Sequence, residues 1–105
     1  MEPHVLTKLD MNDIPDAPDE IRVFGVVNNE IARLPYLLDY HRKIGVKRFL
    51  FVDNNSSDGT REFLLAQKDC HVFHTTASYA EATYGIKWVK SLLDLYGENY
   101  WCLII

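Results

Sequence analysis

Cysteine is scarce in this 105-residue chain. Cys70 and Cys102 stand far apart, with no CxxC spacing and no ligand histidines beside them. Both residues read as reduced core thiols of a cytoplasmic protein in preference to a disulfide pair. Four prolines and five glycines without a period exclude collagen-like and low-complexity chains. No apolar run approaches the ~18 residues of a membrane span. No basic start followed by an apolar stretch marks a secretory signal. A cationic excess is missing too. The formal net charge is −4, a poor counter-ion for duplex phosphate, so nucleic acid is not an expected partner.

What is present is the composition of an ordinary globular domain, 48% hydrophobic and 25% charged, with length for one core. Charge is unevenly spread. Residues 1–20 carry Glu2, Asp10, Asp13, Asp16, Asp19 and Glu20 against Lys8, a net −5, whereas residues 21–105 carry ten bases and nine acids, a net +1. With Pro3, Pro15 and Pro18 interspersed, residues 1–20 read as an acidic, solvated or loosely docked lead-in without a core of its own.

From Ile21 onward, strand and helix signals alternate. Arg22–Val27 is a short β-branched run suited to a strand buried on both faces. Leu34, Leu37, Leu38, His41 and Ile44 recur at helical spacing, with Pro35 in the first turn and Gly45 as a left-handed C-cap. Arg48–Val52 is a second buried strand. Asp58 can cap a short helix running to about Gln67. Cys70–Thr75 alternates as a third strand toward the sheet edge. Ala80–Tyr96 is the longest helical stretch, with Ile86, Val89, Leu93 and Tyr96 on one face, and Trp101–Ile105 opens a fourth strand. Four strands separated by helices imply parallel βαβ crossovers and an α/β layer architecture. Because so apolar a strand suits the middle of a sheet, the expectation is that the sequence is a piece of a longer protein. Its truncated sheet and apolar tail could then pair with a second copy.

Ligands of open α/β sheets bind beyond the carboxyl ends of the strands. Asn28, Asn29 and Glu30 follow the first strand, and Asp53 to Thr60 (DNNSSDGT) follow the second. Turn and cap chemistry accounts for Ser57 to Thr60. An acid directly on the end of a buried strand costs desolvation unless something uses it. Asp53 can accept from the imide N–H of a uracil or from a ribose hydroxyl. Calcium of the EF-hand kind is excluded, since the sixth and twelfth positions counted from Asp53 are Asp58 and Leu64. A P-loop needs Gly-Lys-Ser/Thr, which is missing. A phosphate-accepting receiver domain also places an aspartate after a strand, and that alternative stays open, with a non-catalytic interaction domain beside it. His71 and His74 lie three apart on a strand, on opposite faces, and read as surface or packing residues; His41 reads as a packing histidine. Tyr79, Tyr84 and Trp88 flank the start of the third helix, where an aromatic ring stacks either on a base or on the sheet. Lys87 reads as a solvated helix residue.

The stretch VFGVVNNE, followed after three residues by LPYLLDYHRKIGVKRFLFVDNNSSDGT, resembles the opening half of family 2-type glycosyltransferases of the GT-A fold, over about residues 22–105. The resemblance implies a three-layer, Rossmann-like parallel sheet of four strands in spatial order 3-2-1-4, incomplete here. It divides the chain into the lead-in 1–20 and the N-terminal part of a nucleotide-sugar-binding domain, 21–105. It also implies that Val27, Asn28, Asn29 and Glu30 line the base and ribose of a nucleotide-diphospho-sugar, usually a UDP-sugar, and that Asp53 bonds the base. Asn55, Ser57 and Asp58 would shape the second loop. Where many members have Arg-Asn-x-Gly, this chain has Ala82-Thr83-Tyr84-Gly85, so Gly85 matches and Tyr84 is the neighbouring contact. The family's Asp-x-Asp motif for Mn²⁺ or Mg²⁺ is expected just beyond Ile105, with the catalytic base and acceptor pocket further on. The resemblance therefore implies a sugar-transferring parent, with no catalytic or metal residue in these 105 residues and no turnover by them alone.

Overall fold

The computed structural model describes residues 6–79 and 85–105. The chain is α/β, and among these residues it forms five strands and three helices. In chain order they are β1 (Thr7–Lys8), β2 (Ile21–Val27), α1 (Leu34–Lys43), β3 (Arg48–Asp53), α2 (Thr60–Leu65), β4 (Cys70–His74), α3 (Ile86–Tyr96) and β5 (Trp101–Ile104). One sheet holds all five strands in the order β1-β4-β3-β2-β5. β4, β3, β2 and β5 run parallel, and β1 pairs antiparallel with β4. The expected all-parallel sheet of four strands is thus corrected to a mixed sheet of five. The fifth comes from the acidic lead-in, whose proline and aspartate content gave no strand signal.

Apolar alternation sorts the two sheet faces. Val23 and Val27 of β2, Phe49 and Phe51 of β3, and Cys70 and Val72 of β4 pack with Leu34 and Leu38 of α1 and Leu64 of α2. On the other face Phe24, Leu50, Val52 and Phe73 pack with Trp88 and Leu92 of α3. Two crossovers advance from β2 to β3 to β4, and the third returns to β5 on the far side of β2. A crossover of constant hand must change faces when its direction reverses, which puts α3 alone on the second face.

Several local expectations shift. α1 ends at Lys43, with Gly45 in the left-handed region (φ 106°) as expected, but Ile44 is exposed and Val46 takes the buried position. Ile86 likewise points outward, while Trp88 is fully buried and packs α3 on the sheet. The first part of the expected long helix, 80–84, lies outside the described residues. β5 is an edge strand, with Trp101 83% exposed. Both cysteines are free, and burial raises the thiol pKa of each. No helix among the described residues is long and apolar enough to cross a membrane.

Candidate functional site

The loop after β2 and the loop after β3 meet at the carboxyl rim of the sheet. Val27 and Asp53 are paired in register at the ends of these adjacent strands, and the Asn54 amide donates to Val27 O at 2.9 Å. From there the two loops are laced together. Asn28 Nδ2 donates to Asn54 O at 2.6 Å, the Asn29 amide to Ser56 Oγ at 3.0 Å, and the Ser57 amide to Asn29 Oδ1 at 2.8 Å. The Glu30 amide donates to Thr60 Oγ1 at 2.8 Å. Asn29 and Asn55 sit at φ 54° and 57°, the left-handed region that asparagine tolerates better than most residues. One asparagine in each loop thus adopts the backbone that turns the chain sharply off its strand.

Asp58 was expected to cap α2, and the register differs by one residue. Gly59 occupies the N-cap position, and the Asp58 carboxylate accepts from the Thr60 amide at 2.9 Å and from the Thr60 hydroxyl at 2.5 Å. The Thr60 hydroxyl bond, joined by the Thr60 and Ile31 amides, holds the Asp58 carboxyl below its ordinary pKa. Asn55, Ser57 and Asp58 are exposed.

Asp53 is fully buried. Its Oδ2 accepts from Arg61 Nε at 2.8 Å and from the Ser56 amide at 3.4 Å, while Oδ1 is buried without a hydrogen-bond partner. Arg61 also donates to Ser56 O at 2.7 Å, so one guanidinium closes the turn over the carboxylate. Neither Arg61 nor Asn54 was singled out from sequence. Arg61 left one faint signal there, as the first cation after Asp53 along the chain. Asn54 reaches across to β4's exit, donating to Thr75 O and Ala77 O at 3.3 and 3.1 Å.

A cleft of about 350 Å³ opens at this rim, lined by Val26, Asn28, Glu30, Asn54 and Tyr79. Strand alternation explains why Asp53 does not line it: Val26 packs on the α3 face, whereas Asp53 lies on the α1/α2 side with Phe49 and Phe51. An apolar groove of about 390 Å³ adjoins the cleft, sharing Val26 and Tyr79 and continuing along Gly85, Val89 and Ile105. Gly85 is at φ 83°, and a Cβ there would stand 2.9 Å from Val26 and 3.0 Å from the Tyr79 ring. Glycine is what lets α3 start so close to β2. The apolar groove lies where the strand order reverses, between β2 and β5, the usual ligand position of an open α/β sheet, and the polar cleft adjoins it over the exits of β2 and β3. Of the residues singled out, the structure thus gathers Val27, Asn28, Asn29, Glu30, Asp53, Asn55, Ser57 and Asp58 at one rim. Gly85 borders the adjoining groove, and Tyr84 lies outside the described residues.

Among the described residues no group of three or more His, Cys, Asp or Glu side chains could hold a metal ion. Fold and rim together define an α/β chain with a polar two-loop cleft next to its strand reversal. Comparison with protein-family models, with curated proteins and with solved structures gave no match.

Proposed function

We propose that this chain is the nucleotide-sugar-binding portion of a metal-dependent glycosyltransferase of the GT-A, family 2 type. Its donor would be a UDP-sugar, its acceptor is unassigned, and the 105 residues alone would be inactive. The observation that carries the reading is Asp53: a fully buried carboxylate at the rim, with one oxygen lacking a partner. A buried acceptor left open is costly unless a ligand donor completes it. The imide N–H of uracil is such a donor, and cytosine, which lacks that hydrogen, is not. The adjacent cleft offers Asn28 and Glu30 to ribose hydroxyls and the exposed face of Tyr79 to a ring. Because Oδ1 is covered, a base reaching it must displace the turn around Ser56, so binding and a change in that turn go together.

Titration of UDP against the chain, followed by calorimetry and by amide chemical shifts, tests the reading. Expected are binding with shifts at Ser56 and Ser57, weaker binding of CDP, and about tenfold or greater loss in folded Asp53→Asn, the worth of one charge-assisted hydrogen bond. Equal binding by the variant removes Asp53 from the site. The full burial of Asp53 and its Arg61 partner favour one second reading, a non-catalytic α/β interaction domain in which that ion pair is purely structural. No UDP binding at millimolar concentration would favour it. Phosphate uptake at Asp53 from acetyl phosphate would instead mark a receiver-like domain.

A further inference from the structure

The amino end of the sheet, opposite the cleft, holds a second set of charged groups. Arg22 and Arg48 are in register on β2 and β3, and His71 follows on β4 beside Leu50. Burying three potential cations in a row is costly without counter-charge. The lead-in supplies it. Glu20 accepts from Arg22 Nε at 3.0 Å and from Arg48 Nη2 at 2.7 Å, and Asp10 Oδ2 lies 2.8 Å from His71 Nδ1. Asp10 also accepts from Lys8 Nζ at 2.9 Å and, through Oδ1, from the Val72 amide at 2.9 Å.

The protonation state of His71 follows from geometry. Its ring is fully buried, and Nε2 lies 2.9 Å from Arg48 Nη1. A guanidinium only donates, so Nε2 must accept and carries no proton. The hydrogen is then on Nδ1, donated to Asp10, and the ring is neutral. The charged groups around it are Lys8 of β1, Asp10 of the lead-in and Arg48 of β3, with Glu20 behind Arg48. A proton on Nε2 would turn that acceptor into a donor aimed at a second cation. Burial first, then Arg48 and Lys8, oppose the charged form more than Asp10 favours it, and the imidazole pKa is lowered.

We propose that Asp10, His71 and Arg48 form a proton-operated latch. With His71 neutral it fastens residues 7–10 along β4, and uptake of one proton frees them while the parallel strands stay paired. The fastened segment is small. Beyond this contact it rests on the two-residue β1–β4 pairing, the Leu9 amide, which donates to Val72 O at 2.8 Å, and the half-buried Leu9 side chain packed against the core. Once it lifts, the imidazole meets water and titrates at its ordinary value.

Two measurements on the intact chain test this. Nitrogen-detected NMR at pH 8 should show His71 as the Nδ1–H tautomer, and an Nε2–H or doubly protonated ring overturns the latch. Amide-exchange protection of Leu9 and Val72, taken relative to Leu50 and Phe51, should be flat above about pH 7 and fall about tenfold per pH unit below ~6.5. A relative protection that stays flat overturns it. In His71→Gln the slope should vanish whether the segment is docked or free. A slope unchanged in that variant places the proton elsewhere and overturns the proposal. None of these readouts depends on nucleotide binding.

Discussion

At the end of β3, Asp53 carries two unlike oxygens, Oδ2 held by Arg61 and the Ser56 amide and Oδ1 without a partner. The pair with Arg61 matters for the fold whatever the site binds. The carboxylate is fully buried while the guanidinium is a quarter exposed, so removing the arginine leaves a buried charge unpaired, and solvent relieves only part of that cost. Arg61→Met is expected to destabilise the chain by about 2 kcal/mol in urea unfolding, within the range for breaking such pairs; an unchanged midpoint would show the pair to be worth little. That Asn28, Asn29 and Glu30 follow one strand and Ser57 and Asp58 another was legible in the sequence because strand ends and turn chemistry are local, whereas the bonds lacing the two loops, between residues 26 to 30 apart, were not. Arg61 was not, since its partner is eight residues away, and neither was the Asp10–His71 pair, sixty-one residues apart. Alternation told that His71 and His74 face opposite ways but not what covers His71.

The elements divide in the same way. β2, β3, β4, α1 and α2 were legible because each carries its own apolar period, and Gly45 marks where α1 stops. β1 carries none: two residues of a proline- and aspartate-rich lead-in become a strand because the edge of β4 offers them a ladder. The aspartates that suggested solvation include Asp10, buried against His71, and the lead-in ends in Glu20, which pairs with Arg22 and Arg48. Arg22 also donates to Pro15 O and Tyr96 O and stacks 3.6 Å from the Tyr100 ring centroid, tying the lead-in to both sheet and α3. For Asp10 and Glu20, burial alone would raise the carboxyl pKa, but the bonds from Lys8, the Val72 amide and His71 to Asp10, and from Arg48 and Arg22 to Glu20, outweigh it and both are lowered. A depressed carboxyl adds stability above its unfolded value, near 4, and that stability is lost as pH falls through the folded value. Acid unfolding below about pH 4 should therefore take up extra protons, and Glu20→Gln should flatten that limb of the stability–pH curve. A curve of unchanged slope would mean that Glu20 does not stay paired in solution. At the start of α3, Gly85→Ala meets both a left-handed backbone and contacts of 2.9 and 3.0 Å. About 1–2 kcal/mol of lost stability is expected, read as a lower thermal midpoint; an alanine variant melting with the parent would show that this junction yields easily.

For the whole molecule, the two ends of the sheet carry different work. The amino rim buries charge against charge and fixes the lead-in, while the carboxyl rim leaves one acceptor open beside a polar cleft next to the strand reversal. The two side edges differ as well. β4 is covered by β1, so that edge ends in a two-residue strand, the short kind that resists further pairing. On the other side β5 pairs only with β2 among the described residues and exposes Trp101, Leu103 and Ile104. The order 3-2-1-4 implied by the resemblance sets this strand beside β2, where it lies, but its apolar run, which suits the middle of a sheet, did not tell that Trp101, Leu103 and Ile104 are exposed. An exposed apolar edge strand is a template for another strand, and a second copy of β5, antiparallel across a two-fold axis, would supply one. The chain is therefore expected to self-associate reversibly, seen as a sedimentation coefficient that rises with concentration in the micromolar range. Leu103→Lys adds a charge to that edge without altering the β2 ladder, and should return the chain to monomer with its fold unchanged by circular dichroism. A parent chain that sediments as a monomer at hundreds of micromolar would show that side-chain exposure along β5 does not suffice to recruit a partner.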